Sequence, residues 1–261
     1  GASSAAGVDS AGVGTAFSIP EVRAILLLRL NTLLQGYSGV RPEIIDLLVE
    51  FLNRGIHPVI PSQGSVGASG DLTPLAHLAL CLIGEGQVWD RQKKFPTRIL
   101  LKEKQLAPIT LEAKEGLALI NGTQPMCALA ALVTLRMDRL LDIADMATAL
   151  TVQATLGSRI PFRPDLHQLR PHPGQQKSAE NLWRWLQESP IIESHKDCDA
   201  VQDAYSVRCA PQVHGASRDT CEHLKKIVGI EMNAITDNPI VLTESGEILN
   251  CGHFHGQPLA L

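Results

Sequence analysis

Aromatic side chains are scarce, making up only 4% of the 261 residues. Sheet-rich folds draw on aromatic and β-branched residues, so this scarcity, beside abundant Ala and Leu, favours helices. Positive charge is also short: the formal net charge is −4. That excludes the basic footprint of a nucleic-acid binder. No apolar run reaches the length of a membrane span, and no signal peptide opens the sequence. Cysteine is sparse and unpatterned. Residues 81, 127, 198, 209, 221 and 251 form no CxxC pair, so reduced thiols in a cytosolic protein are expected rather than disulfide staples. What is present is apolar content of 44%, enough for one large core, or for one domain and part of another.

Local signals divide the chain. Ser18-Ile19-Pro20-Glu21 is a helix start, with Ser18 as cap, Glu21 completing a capping box and Pro20 suited to the first turn. Apolar residues recur at Val22, Ile25, Leu26 and Leu30, and Gly36 marks the stop. A second helix is predicted from Pro42 to Asn53, with Ile45, Leu48 and Leu52 on one face. A third is capped by Thr73, has Pro74 at its first position and ends at Gly84 or Gly86. VWDRQKKFP reads as a hairpin, followed by a short helix near 98–105. Another helix over 111–120 stops at Asn121-Gly122. From Pro125 to Leu156 helix formers run on without a further break, spanning roughly 45 Å. A helix so long, apolar on more than one face, belongs in a bundle. The proline-rich stretch 157–177 predicts an irregular connection, 178–188 a helix with Trp183 and Trp185, and 189–210 extended chain. A long helix over 211–235 and a hairpin turning at Ser245-Gly246 follow, and HGQPLAL begins one more helix. The fold class is mainly α. An N-terminal helical region, 1–110, precedes part of a long-helix bundle, 111–261, with short β-hairpins.

The stretch GSVGASGDLTP, residues 64–74, stands apart because it is nearly bare of side chains. Its position between two capped helices in an apolar region predicts that it is buried, so its backbone groups need partners. A bare, buried loop implies close approach to its main chain. In Ala68-Ser69-Gly70 the Gly70 nitrogen could attack the Ala68 carbonyl carbon and close a five-membered ring. Loss of one water from the ring and a second from Ser69 would leave an exocyclic methylene, an electrophile that no ordinary side chain offers. Asp71 adjoins it and could handle protons during closure.

GSVGASGDLTPLAHLAL resembles the signature of the aromatic amino acid ammonia-lyases. ALINGTQ at 118–124, VQDAYSVRCAPQVHGA at 201–216, TDNP at 236–239 and GHFHGQP at 252–258 are similar to further family blocks in the same order. The resemblance covers nearly the whole sequence. It implies that Ala68-Ser69-Gly70 becomes 4-methylideneimidazol-5-one, with no dissociable cofactor and no metal. It also implies that Tyr205 sits by the substrate amine, Arg208 pairs with the carboxylate, Gln202 completes the polar wall, and Asn121 lies near the ring or the substrate's polar end. The block QDAYSVRCAPQVHG looks like the histidine branch, which implies conversion of L-histidine to trans-urocanate and ammonia. The partners implied are this small-molecule substrate and other copies of the chain in a homotetramer, in the cytoplasm, with neither nucleic acid nor membrane. Out of context, Asn121-Gly122 is a common helix stop, Tyr205 a packed ring, and Arg208 a surface charge.

Departures from the pattern stand beside the matches. The family's tyrosine loop would lie upstream of residue 1, and later bundle helices with an acidic substrate contact beyond residue 261, so the sequence reads as truncated at both ends. Asp9, or Ser4 in another alignment, stands where the histidine branch carries histidine. Cys251 and His253 replace glycine and asparagine, and Gln257 replaces glutamate. Cys251, His253 and His255 are spaced closely enough for a metal, but no fourth ligand is identifiable. Two alternatives therefore stand beside the lyase: a catalytically impaired scaffold or assembly subunit of the same fold, and a lyase or aminomutase for another aromatic amino acid.

Overall fold

The computed structural model describes residues 12–90, 93–197, 199 and 201–260. The positions of Asp9, Ser4 and Cys198 fall outside them. The chain is mainly helical and forms two compact units. One runs through Leu132 and resumes at Ile227, and the other is Val133–Lys226.

The first unit begins with a strand, Val13–Ala16, antiparallel to Pro61–Gln63. The helix Ile19–Leu34 starts as its sequence predicts, with the Glu21 carboxylate accepting from both the Ser18 N–H and hydroxyl at 2.7 Å. It packs on the helix Pro42–Arg54, whose buried stripe is Ile44, Leu47, Leu48 and Phe51. Ile45 and Leu52, expected at the centre of that face, lie at its half-buried margin. Phe51 fixes this rotation, since it is the largest side chain of the helix and is fully buried. The helix Leu72–Leu82 starts with Asp71, not Thr73, in the N-cap position and packs on the short helix Glu115–Ile120. The latter starts later than the expected residue 111. Lys114 precedes it in the left-handed conformation, and its ammonium is held by Ser38 O at 2.5 Å and Asp237 at 2.9 Å. Strands Gln87–Asp90 and Lys93–Pro96 form the expected hairpin, extended by His57–Pro58, and the helix Thr97–Glu103 follows. A second hairpin pairs Ile240–Leu242 with Glu247–Leu249, and Gln257–Ala260 is helical.

Gln124–Ala154 is one continuous helix of 31 residues. Contrary to the expectation that no apolar run is long enough, Glu115–Ala154 contains a window that could cross a membrane by length and composition alone. That window is 56% buried within the protein.

In the second unit the predicted irregular connection at 157–177 is mostly helical: a 3-10 turn at Ile160–Phe162, then Pro164–Gln168, then the start of Pro173–Leu186. Pro161, Pro164 and Pro173 occupy first-turn positions, where the missing N–H is no loss. Within the stretch 189–210, expected to be extended, the described residues form helices at Pro190–Ser194 and Tyr205–Arg208. Ala149, Val152, Phe162, Leu182, Leu186, Ile192 and Ala210 make its core, flanked by Trp183 and Trp185. Asp145, fully buried, accepts from His214 at 2.8 Å, Arg218 at 2.7 Å and Asn181 at 2.9 Å, so it ties three helices together.

Candidate active site

The bare loop turns back on itself at Ser69. Gly67 and Gly70 pair as an isolated bridge, and so do Ala68 and Gly70. The expected burial of residues 64–71 holds only at the end of the loop. Gly70 and Asp71 are buried, whereas residues 64–66 and both Ala68 and Ser69 are exposed. The difference follows from what the loop touches. Gly70, at φ +76°, lies against the main chain of Gly122, and a Cβ on Gly70 would come within 2.5 Å of Gly122 O. A Cβ on Gly122 would in turn meet Gln124 Oε1 at 2.3 Å, Thr236 O at 2.5 Å and Arg29 Nη1 at 2.6 Å. Two main chains approach here at a distance that only glycine allows, which accounts for the lack of side chains at this end of the loop.

Asp71 fastens the contact. Its N–H donates to Gly122 O at 2.8 Å. One carboxylate oxygen takes a short hydrogen bond from the Ser65 hydroxyl, and the other accepts from the Met126 N–H at 2.7 Å. Met126 is the third residue of the Gln124–Ala154 helix, so the carboxylate caps that helix while its residue occupies the N-cap position of another. Burial raises the Asp71 pKa above the ordinary carboxylate value, and the bonds from Ser65 and Met126 oppose the rise.

Behind Gly122 lies a residue that the motifs did not reveal. Arg29 is fully buried. Its Nη1 donates to Asn121 O at 2.9 Å and Gln124 Oε1 at 2.8 Å, and its Nη2 makes a short bond to Ala118 O. Gln124 Nε2 then reaches Thr32 at 3.0 Å and Thr236 at 2.6 Å. Desolvation lowers the Arg29 pKa to about 10, with Asp237 opposing the shift, so it remains a cation at neutral pH. The signal was present in the sequence: Arg29 lies one turn from Ile25 and one from Leu33, on a face that is apolar apart from Thr32.

Asn121 is buried, and its side-chain Oδ1 has no hydrogen-bond partner among the described residues. The segment after the second hairpin closes on the loop, with the Gly256 N–H donating to Gly67 O at 3.0 Å. A cavity of about 450 Å³ opens there between Val66, Gly67, Ala68, Met126, His255 and Leu259. Cys251 and His255 make local contacts. The Cys251 thiol donates to Asp237 O at 3.6 Å, and His255 Nδ1 accepts from the Gln257 N–H at 3.2 Å.

The structure therefore brings Ala68, Ser69, Gly70, Asp71 and Asn121 into one unit. Gln202, Tyr205 and Arg208 belong to the other. Tyr205 is 76% exposed at the start of its short helix, and Gln202 is exposed. Arg208 is half-buried, its Nε donating to Asp203 O at 2.9 Å.

Comparison with known proteins places this chain in a class. The family model for aromatic amino acid lyase matches residues 4–261. Among curated relatives, a histidine ammonia-lyase from Gloeobacter violaceus is 58% identical over 97% of this chain and 49% of its own length. One from Myxococcus xanthus is 52% identical over 96% of this chain and 49% of its own length. The chain belongs to the aromatic amino acid lyase family. It spans about half the length of the curated relatives it matches. Among solved structures, a tyrosine aminomutase from Streptomyces globisporus superposes with TM-score 0.90 at 40% identity, covering 99% of this chain and 52% of the other. A histidine ammonia-lyase from Trypanosoma cruzi superposes at 0.88 and 39%, covering 99% and 48%.

Proposed function

We propose that this chain carries the electrophile-forming part of a histidine ammonia-lyase, which converts L-histidine to trans-urocanate and ammonia. The observation that carries the reading is the back-folded Ala68-Ser69-Gly70 turn wedged on Gly122. Ring closure joins the Gly70 nitrogen to the Ala68 carbonyl carbon. The Ala68 oxygen leaves as one water, and the Ser69 hydroxyl leaves with its Cα hydrogen as the second. The residues present suit such a group. Gly70 lies in a cradle that a Cβ would fill, and Asn121 offers a buried acceptor without a partner among the described residues. Asp71, its pKa raised by burial, is suited to hold a proton beside the closing ring. The ring, 4-methylideneimidazol-5-one, supplies an electrophilic methylene that takes up an amine.

The other roles follow the family resemblance. Tyr205 is assigned to the substrate amine, Gln202 to the polar wall, and Arg208 to the substrate carboxylate, which its planar fork suits. Asn121 is assigned to the ring or the substrate's polar end. The working form is read as a cytoplasmic homotetramer, without nucleic acid, membrane or metal partner. The bundle reading keeps its division at residue 110, with the prosthetic-group region before it and the partial bundle after.

Two measurements test the reading. Intact mass and peptide spectrometry of residues 68–70 should show two waters lost, and added L-histidine should yield urocanate absorbance. A tripeptide of full mass would sink it. The likeness to a tyrosine aminomutase supports a second reading, for which a β-amino acid product from tyrosine would be the sign.

A further inference from the structure

Arg29 is a fully buried cation whose hydrogen bonds grip the turn against which the motif loop is wedged. Its guanidinium bonds two main-chain oxygens, Ala118 O and Asn121 O, and the Gln124 side chain. Those carbonyls lie at the end of the Glu115–Ile120 helix, where a cation also meets the negative end of the helix dipole. On the far side of the same turn Gly122 O accepts the Asp71 N–H at 2.8 Å, and the Gly122 main chain limits how far Gly70 can move. We propose that Arg29 is a positioning residue for formation of the electrophile: it fixes Asn121-Gly122 as the anvil against which the Ala68–Gly70 turn is bent. The inference rests on the reading that this tripeptide cyclises.

Attack of an amide nitrogen on a carbonyl two residues back is unfavourable unless the turn is held bent, and a looseness of about 1 Å can cost about 100-fold in rate. Gly70 has no side chain with which to hold its place, so its position is defined by what it leans on. Gly122 has none either, and is wedged between Gly70 on one side and Arg29 Nη1, Gln124 and Thr236 O on the other. Lysine at position 29 would keep the charge but not the fork. One ammonium cannot reproduce two nitrogens aimed at Ala118 O and at the Asn121 O–Gln124 Oε1 pair.

The test follows maturation by mass in freshly expressed protein. Wild type is compared with Arg29→Lys, Gln124→Met and Leu48→Ala. Leu48 is fully buried in the same unit but takes no part in this network, so its variant controls for lost stability. Expected are loss of two waters in wild type and in Leu48→Ala, and at least about 10-fold slower loss in Arg29→Lys and Gln124→Met at comparable thermal stability. If Arg29→Lys does not fold, Gln124→Met carries the test, since it removes one acceptor from the guanidinium. Maturation of the folded variants at the rate of Leu48→Ala would overturn the positioning role while leaving the cyclisation intact. An unmodified tripeptide in wild type would overturn both.

Discussion

Asp71 shows how one side chain can be committed several ways. Its main-chain N–H holds Gly122, and its carboxylate accepts from Ser65 and caps the long helix at Met126. Burial raises its pKa, so in the range just above the ordinary carboxylate value the folded chain binds more protons than the unfolded chain. Stability contributed by this group is therefore full in acid and declines as pH rises through the raised pKa. Asp71→Asn removes that ionisation and keeps an acceptor for Met126. Thermal melts should show the variant gaining on wild type from acid to neutral pH, while ring formation slows. A difference in melting temperature that does not change with pH would contradict the assignment. Asp71 is legible in the sequence because it adjoins the tripeptide. Its partners are not, because Met126 and Gly122 come near only after folding.

Among the elements, boundaries set by neighbouring residues were legible and those set by distant ones were not. The Ser18–Glu21 start, the two hairpins and the unbroken Gln124–Ala154 helix were all readable from local chemistry. The proline-rich stretch misled. Proline signals both irregular chain and helix starts, and the packing of Phe162 and the Pro173–Leu186 helix into the second unit's core selects the latter. Ser189 shows the same logic at a short helix. Its hydroxyl accepts from the Ile192 N–H at 3.4 Å and donates to Gln153 Oε1 at 2.7 Å. Ser189→Ala should destabilise the unit by about 1 kcal/mol, the usual value of an N-cap, in urea unfolding. No shift in the midpoint would show that the cap is dispensable.

For the whole molecule, family membership rests on residues spread over nearly the full sequence, while the candidate chemistry divides between two units. Leu140, Ile143, Met146 and Leu150 recur at helical spacing on the long helix and are 60%, 53%, 44% and 66% exposed. A stripe of this kind is more apolar than an isolated surface normally tolerates, consistent with the proposed assembly of several copies. Sedimentation should find the chain associated at micromolar concentration, and Leu140→Lys with Ile143→Lys should shift it toward monomer. A well-folded wild-type monomer across that range would count against assembly through this face.

The amino-acid sequence by itself determined the helix starts and stops that local caps specify, that one loop would be bare, and that Ala68-Ser69-Gly70 was the candidate electrophile. Caps, prolines and glycines act on their immediate neighbours, so their effects can be read in order along the chain. Only the tertiary structure decided that Gly70 leans on Gly122, that Asp71 caps a helix other than its own, and that a buried arginine from the first helix grips the turn between them. Those partners lie far apart along the chain, and packing chooses among many possible donors and acceptors by distance and direction, which the linear order of residues does not contain.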